Sequence, residues 1–322
     1  MRLLAVFTLI LCISFTSGAS AAEKDFDTWL NDFRVRAQSE GISQPTINAA
    51  LTGITPITRV IELDRKQPES TITFATYKKR IVNQTRVNKG RQLYRQHRAK
   101  LDKVADKFGV QPQYIVALWG IETNFGSNTG GFDVISSLAT LAWDGRRSEF
   151  FSKELINALK IIDEGHITRE NIKGSWAGAL GQNQFMPSSF HNFAVDGNAD
   201  GKKDIWGSLD DVFSSSANYL SRSGWNAGER WGRAVRVPAG LSDELVSLKI
   251  KKSLSEWQAL GVRNAGGGDL PVNSDMKASL VAPDGLAGPT YLVYNNYHTI
   301  MRWNRSTYFA TSVGLLADAI AQ

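Results

Sequence analysis

Glu122 is the only carboxylate in Ala117-Leu-Trp-Gly-Ile-Glu-Thr-Asn-Phe-Gly126. Gln111-Pro112 gives the stretch a helix start, because proline is tolerated in the first turn, and Gly126 offers a stop. Ile115, Val116, Leu118, Trp119 and Ile121 recur at helical spacing. Glu122 follows Leu118 by four residues and Trp119 by three, which sets it on or beside the apolar face. A carboxylic acid against such neighbours has its charged form disfavoured, and its pKa rises toward that of a useful general acid. Helix-end carboxylates are ordinarily solvated, so this stretch alone does not decide the matter.

Gly174-Ser-Trp-Ala-Gly-Ala-Leu-Gly-Gln-Asn-Gln-Phe-Met-Pro-Ser-Ser189 is the second stretch with chemical content. Gly178 and Gly181 allow close backbone approach. Ser175, Gln182, Gln184, Ser188 and Ser189 supply neutral donors and acceptors, an inventory suited to hydroxyl and acetamido groups of an uncharged sugar. The same glycines would also suit a tight junction between helices. Asp196-Gly-Asn-Ala-Asp-Gly201 matches the opening of a calcium-binding EF-hand loop. Lys202 would offer a backbone carbonyl at position seven and Asp204 stands at position nine, but position twelve is Gly207 instead of a bidentate glutamate. Other chemistries find no support. Four scattered histidines without HExxH argue against a catalytic zinc, and there is neither a GxSxG elbow nor a phosphate-binding glycine loop.

Helices must position most of these groups. Phe26, Trp29, Leu30 and Phe33 form one apolar stripe, and Gln44-Pro45 opens a short second helix. Asp64-Arg-Lys-Gln-Pro-Glu69 reads as a loop, a basic helical stretch follows to about His97, and another helix runs from Ala99 to Phe108. Phe150, Phe151, Leu155, Ile156, Leu159 and Ile162 mark an amphipathic helix. Asp211 to Leu220 is helical. Between Trp231 and Tyr294 the pattern turns to alternation: Ala234–Val237, Leu245–Ile250, and a pair of strands around Pro283-Asp-Gly285. A helix from Ser306 to Ala321 is expected to return to the core.

The chain has 322 residues, enough for two or three structural units. Residues 1–22 have the form of a cleaved export signal, with Arg2, an apolar run from Leu3 to Phe15 and small residues at 19–22. Cys12 is the only cysteine and lies in that leader, and Leu11 before it does not suit a lipoprotein signal. Loss of Arg2 takes the formal charge from +6 to +5. Much of it falls on Lys78, Lys79, Arg80, Arg86, Lys89, Arg91, Arg95 and Arg98, either a solvated helix face or a surface for an anionic polymer. The expectation is a periplasmic monomer with no membrane insertion and no nucleic-acid partner.

Trp119-Gly-Ile-Glu-Thr-Asn-Phe-Gly126, Leu141-Ala-Trp-Asp-Gly-Arg-Arg147, the 174–189 stretch and Trp303-Asn-Arg-Ser306 occur in order. Together they closely resemble the lytic murein transglycosylase B family, across essentially the whole chain after the leader. The resemblance implies an α+β, mainly α fold: a helical N-terminal region (23–109), a lysozyme-like core (110–230), a small β-containing insertion (231–294) and a C-terminal helix (295–322). It implies cleavage of peptidoglycan between N-acetylmuramic acid and N-acetylglucosamine to a 1,6-anhydro end, with Glu122 the single acid/base and no cofactor required. Alternatives are a hydrolytic muramidase and a non-catalytic wall-binding scaffold. Carried over by motif, Ser175, Gln184, Tyr219 and Asn296 would contact sugar. The family's lengthened metal loop implies that Asp211, or less readily Asp210, closes a structural calcium site with Asp196, Asn198, Asp200 and Lys202.

Overall fold

The computed structural model describes residues 25–66, 72–271 and 276–322. The expected leader and residues 67–69 of the Asp64–Glu69 loop lie outside them. Fourteen α-helices surround two small sheets among these residues. No helix among them is long and apolar enough to cross a membrane.

Three helices open the chain: α1 (Phe26–Ser39), α2 (Gln44–Leu51) and α3 (Thr58–Arg65). Asp25 and Ser43 cap the first two by accepting from Thr28 N and Thr46 N. Asp64 and Arg65, expected in a loop, instead form the last turn of α3. The long basic stretch is two helices, α4 (Phe74–Ile81) and α5 (Gln84–Gln96). Asn83 separates them, because its side chain accepts from Arg86 N and starts a new helix. Part of the basic cluster also has structural work. Arg86 Nη1 donates to Ile81 O at the end of α4 (2.5 Å), and Arg91 Nε donates to Ala319 O (2.8 Å).

α6 (Arg98–Phe108) stops at Gly109, whose φ of 67° is left-handed. α7 (Pro112–Thr123) follows, buried at nearly every position from Tyr114 to Gly120, as befits a helix that is apolar all round. Next come α8 (Val134–Trp143) and α9 (Ser148–Asp163). Phe150, counted above on the apolar stripe of α9, is 47% exposed. α10 (Pro187–Phe193) and α11 (Leu209–Arg222) complete this region.

A two-residue ribbon, β1 (Phe132–Asp133) against β2 (Lys173–Gly174), joins the stretch after α7 to the 174–189 stretch. The larger sheet is antiparallel in the order β4 (Lys252–Ser253), β6 (Lys277–Val281), β7 (Thr290–Val293), β3 (Gly232–Arg236), β5 (Arg263–Asn264). α12 (Leu254–Ala259) sits beside it, with a capping box between Ser253 and Glu256. Leu245–Ile250 is not a strand. Ser242 starts a short 3₁₀ turn there, and the apparent alternation reflects a loop leaning half-buried on the sheet's core. α13 (Asn295–Trp303) and α14 (Thr307–Ala321) close the chain.

The apolar cores do not follow sequence order. One joins α1–α3 to α8–α10, a second joins α4–α7 to α11, α13 and α14, and the third fills the small sheet. The helix that carries Glu122 therefore packs against the chain's C-terminal end.

Candidate active site

α7 ends in an unusual turn. Asn124, Phe125 and Gly126 have φ of 50°, 61° and 77°, and Phe125 N donates back to Trp119 O at 3.1 Å. Two successive non-glycine residues in this region store backbone strain of the kind found at functional sites. Gly120 accommodates the turn: a Cβ there would lie 2.7 Å from the Phe125 ring. Thr123 Oγ1 donates to Gln182 O (3.1 Å), which fastens the helix end to the 174–189 stretch. Gly130 completes the junction, since a Cβ there would lie 2.2 Å from Gly174 O.

Glu122 thus sits where α7 meets the 174–189 stretch and α13. Its Oε1 accepts a hydrogen bond from Trp303 Nε1 at the end of α13 (2.7 Å). The residue is half-buried and keeps part of its surface accessible. Burial pushes its pKa up to about 7, opposed only by the Trp303 N–H. No charged side chain among the described residues contributes to that shift. Trp119, three residues before Glu122, is not the aromatic that holds the acid. Its Nε1 donates to Gln182 Oε1 (2.7 Å), while Gln182 Nε2 donates to Trp206 O (2.7 Å). Gln182 is thereby committed to packing.

The expected sugar-contacting residues fare differently. Gln184 has φ of 51° and donates from Nε2 to Thr129 O (3.1 Å) and Gly181 O (3.0 Å), which fixes its amide. Ser175 Oγ accepts from Ala179 N at 2.9 Å and keeps its own proton to donate. Tyr219 lies in an aromatic cluster beside the acid, with ring centroids 4.7 Å from Trp303, 4.3 Å from Phe193 and 5.8 Å from Phe185. Its hydroxyl donates to Arg302 O (2.7 Å). Glu122, Tyr219 and Phe185, the neighbour of Gln184, are thus linked through the one indole of Trp303. Asn296 stands apart. It is fully buried, Nδ2 donates to Asn226 O and Glu229 O, and Oδ1 accepts from Asn226 N. Both amide protons and the oxygen are engaged by the backbone of the 226–229 loop, so this fully buried side chain anchors α13 instead of facing a sugar. Trp303 is the residue overlooked as a site member. The Trp303-Asn-Arg-Ser306 block was its signal.

In the 196–211 loop the carboxylates hold backbone amides. Asp196 accepts from Asp200 N and Gly201 N, and Asp200 accepts from Lys202 N and Asn198 Nδ2. Asp211 is fully buried, takes Gly197 N (2.9 Å) and Asp204 N (2.6 Å), and has its pKa raised by burial with Asp196 adding to it. Asp210 instead pairs with Lys100. No group of three His, Cys, Asp or Glu among the described residues is arranged to hold a metal. A buried, repelled carboxylate at the loop's closing position nonetheless fits the charge a cation would neutralise.

Residues 25–318 match the transglycosylase SLT domain. The chain belongs to that family. Membrane-bound lytic murein transglycosylase B of Escherichia coli (strain K12) is 34% identical over 252 residues, which span 76% of this chain and 66% of that protein. SltB3 of Pseudomonas aeruginosa, solved in complex with NAG-NAM-pentapeptide and with NAG-anhNAM-pentapeptide, is 44% identical. It superposes with a TM-score of 0.89 over 92% of this chain and 79% of its own. The Escherichia coli lytic transglycosylase Slt35 in complex with calcium is 30% identical, with a TM-score of 0.78 over 91% of this chain and 92% of its own. The mainly helical lysozyme-like architecture expected from sequence is the one these structures share.

Proposed function

We propose that this chain is a periplasmic lytic transglycosylase that cleaves peptidoglycan between N-acetylmuramic acid and N-acetylglucosamine, with Glu122 as its single acid/base. The carrying observation is a carboxyl group whose pKa is lifted to about 7 by burial with no cation beside it. Such a group holds a proton near neutral pH and can take it back after giving it up. Protonated Glu122 donates to the bridging oxygen as the bond to the anomeric carbon breaks. The glutamate then removes the proton of the muramoyl C6 hydroxyl as that oxygen attacks the anomeric carbon, leaving a 1,6-anhydro end and consuming no water. The substrate's acetamido oxygen supports the developing charge in place of a second carboxylate, in contrast to the paired carboxylates of most glycosidases. Gln184, with its amide fixed by the backbone, and Ser175, with a hydroxyl proton to give, are assigned to sugar. Tyr219 contributes its ring.

Mass spectrometry of digested wall tests the reaction. The account predicts muropeptides lighter by one water than muramidase products, and their absence with Glu122→Gln, which should cost about 10³-fold in rate while the fold persists. Fully hydrated ends would assign hydrolysis, and unchanged lysis by Glu122→Gln would remove the enzyme reading.

The 196–211 loop is assigned a structural calcium held by Asp196, Asn198, Asp200, the Lys202 carbonyl and Asp211. When bound, the ion supplies the positive charge that the buried Asp211 lacks. The missing twelfth-position glutamate keeps the affinity modest. Calcium should raise the melting temperature of the wild type but not of Asp200→Ala; no difference between them would count against the site.

A further inference from the structure

Gln182 bridges the helix that carries the acid and the 196–211 loop, and each of its polar groups has a partner. Toward α7, its Oε1 accepts from Trp119 Nε1 (2.7 Å) and its backbone O accepts from Thr123 Oγ1 (3.1 Å). Toward the loop, its Nε2 donates to Trp206 O (2.7 Å) and its backbone N donates to Ile205 O (2.8 Å). Trp119 stands three residues before Glu122 and Thr123 one after it, so the two α7 bonds fall on either side of the acid. The left-handed turn that follows closes directly onto the same amide. A Cβ on Gly126 would lie 2.3 Å from Gln182 Oε1, and Gly126 N donates to Thr123 Oγ1 (3.0 Å). The loop end is fixed in turn. Asp204 Oδ1 accepts from Trp206 N (3.0 Å), and the buried Asp211 accepts from Asp204 N (2.6 Å).

We propose that Gln182 is a positioning residue for the reaction: its side-chain amide holds the last turn of α7, and Glu122 with it, against the 196–211 loop. The inference rests on the transglycosylase reading above and deepens it, from the acid to what sets the acid in place. The two partners select this side chain. An indole N–H only donates and a carbonyl only accepts, so the group between them must accept at one end and donate at the other. Glutamate would set a second acceptor against Trp206 O, and asparagine carries the same groups one methylene short. Trp119 is buried, so water does not readily replace the bond to its indole. The left-handed backbone of Asn124 and Phe125 gives the turn strain to release once that bond is lost. A relaxed turn moves Glu122 and admits water to its carboxyl group, and a misplacement of about 1 Å can cost about 10²-fold in rate.

The test pairs steady-state kinetics on solubilised glycan strands with NMR titration of the Glu122 carboxyl carbon. Gln182→Met keeps the length of the side chain and the backbone bonds but loses both amide bonds. It should lower kcat by about 10²-fold with KM held within about threefold. Trp119→Phe, which breaks only the α7 bond, should lower kcat by about tenfold. In both, the Glu122 midpoint and the alkaline limb of the rate–pH profile should fall from about 7 toward the ordinary value of 4.5, because burial is what raises them. The double variant should lose no more than Gln182→Met alone, since the two substitutions share one bond. If Gln182→Met does not fold, Trp119→Phe, whose ring still fills the core, decides alone. A kcat within about twofold of the wild type, a loss confined to KM, a midpoint still near 7, or additive losses in the double variant would each overturn the assignment. The titration needs no turnover, so a wild type that forms no anhydro ends would sink the transglycosylase reading and leave this result readable.

Discussion

Burial acts on the carboxyl groups of both Glu122 and Asp64, and their surroundings drive them in opposite directions. Asp64, 2% exposed at the end of α3, accepts from Arg146 Nε (2.8 Å) and Arg147 Nη2 (2.5 Å). Burial pushes its pKa up, but hydrogen bonds and charge from the two guanidinium groups outweigh that, and the net shift is downward. Glu122 is also raised by burial but has only a neutral indole N–H against it, so its pKa stays near 7. Enclosure alone does not make a proton donor. Enclosure without a cation does, and the fold supplies that by aiming Trp303, and no arginine, at the acid.

The largest test of this contrast lies in stability. A raised folded-state pKa means that Glu122 stabilises fully below its unfolded value near 4.5 and loses that contribution as pH rises through about 7. At about pH 8 the wild type should therefore be less stable than Glu122→Gln by about 3 kcal/mol, with the gap closing toward about pH 4. Urea unfolding at the two pH values measures it; a gap of constant size would refute the burial argument.

Asp64 should behave with the opposite sign. Its depressed pKa gives stability that is present above the unfolded value and lost as pH falls through the folded one. Asp64→Asn should cost about 2 kcal/mol near neutral pH, the worth of its charge-assisted hydrogen bonds. That cost should shrink in acid, and turnover per folded molecule should hardly change. A large loss of turnover at full folding would make Asp64 part of the active site and dissolve the contrast.

The smallest effect belongs to Trp303→Phe. The ring remains to pack on Tyr219 and Phe185, but the only group that lowers the Glu122 pKa is gone. The acid must be protonated to act, so the alkaline limb of the rate–pH profile should move upward, with a few-fold change in maximal rate. An unmoved limb would show that the indole does not tune the acid.

The Glu122 half of this contrast was legible in the chain, the Asp64 half was not, and the illegible part has a physical reason. The helix that carries Glu122, its proline start and its apolar character follow from local spacing. So does the hairpin of β6 and β7. The partner of Glu122 does not: Trp303 lies 181 residues away in sequence, and no local pattern states which indole turns toward which carboxylate. Trp119, at ideal helical spacing, was the nearer candidate, yet its N–H is taken by Gln182. Asn296 shows the opposite failure, where a side chain with the right chemistry is consumed by backbone that only the tertiary fold brings near. Leu245–Ile250 reads like a strand because its apolar residues lean on the sheet's core, but they do so without any ladder of hydrogen bonds.

The account stands most directly on the titration of one side chain. Following the Glu122 carboxyl carbon by NMR, assigned by its absence in Glu122→Gln, should give a midpoint near 7. A midpoint at the ordinary carboxylate value near 4.5 would mean that the acid is ionised at working pH, and the single-glutamate chemistry could not proceed as described.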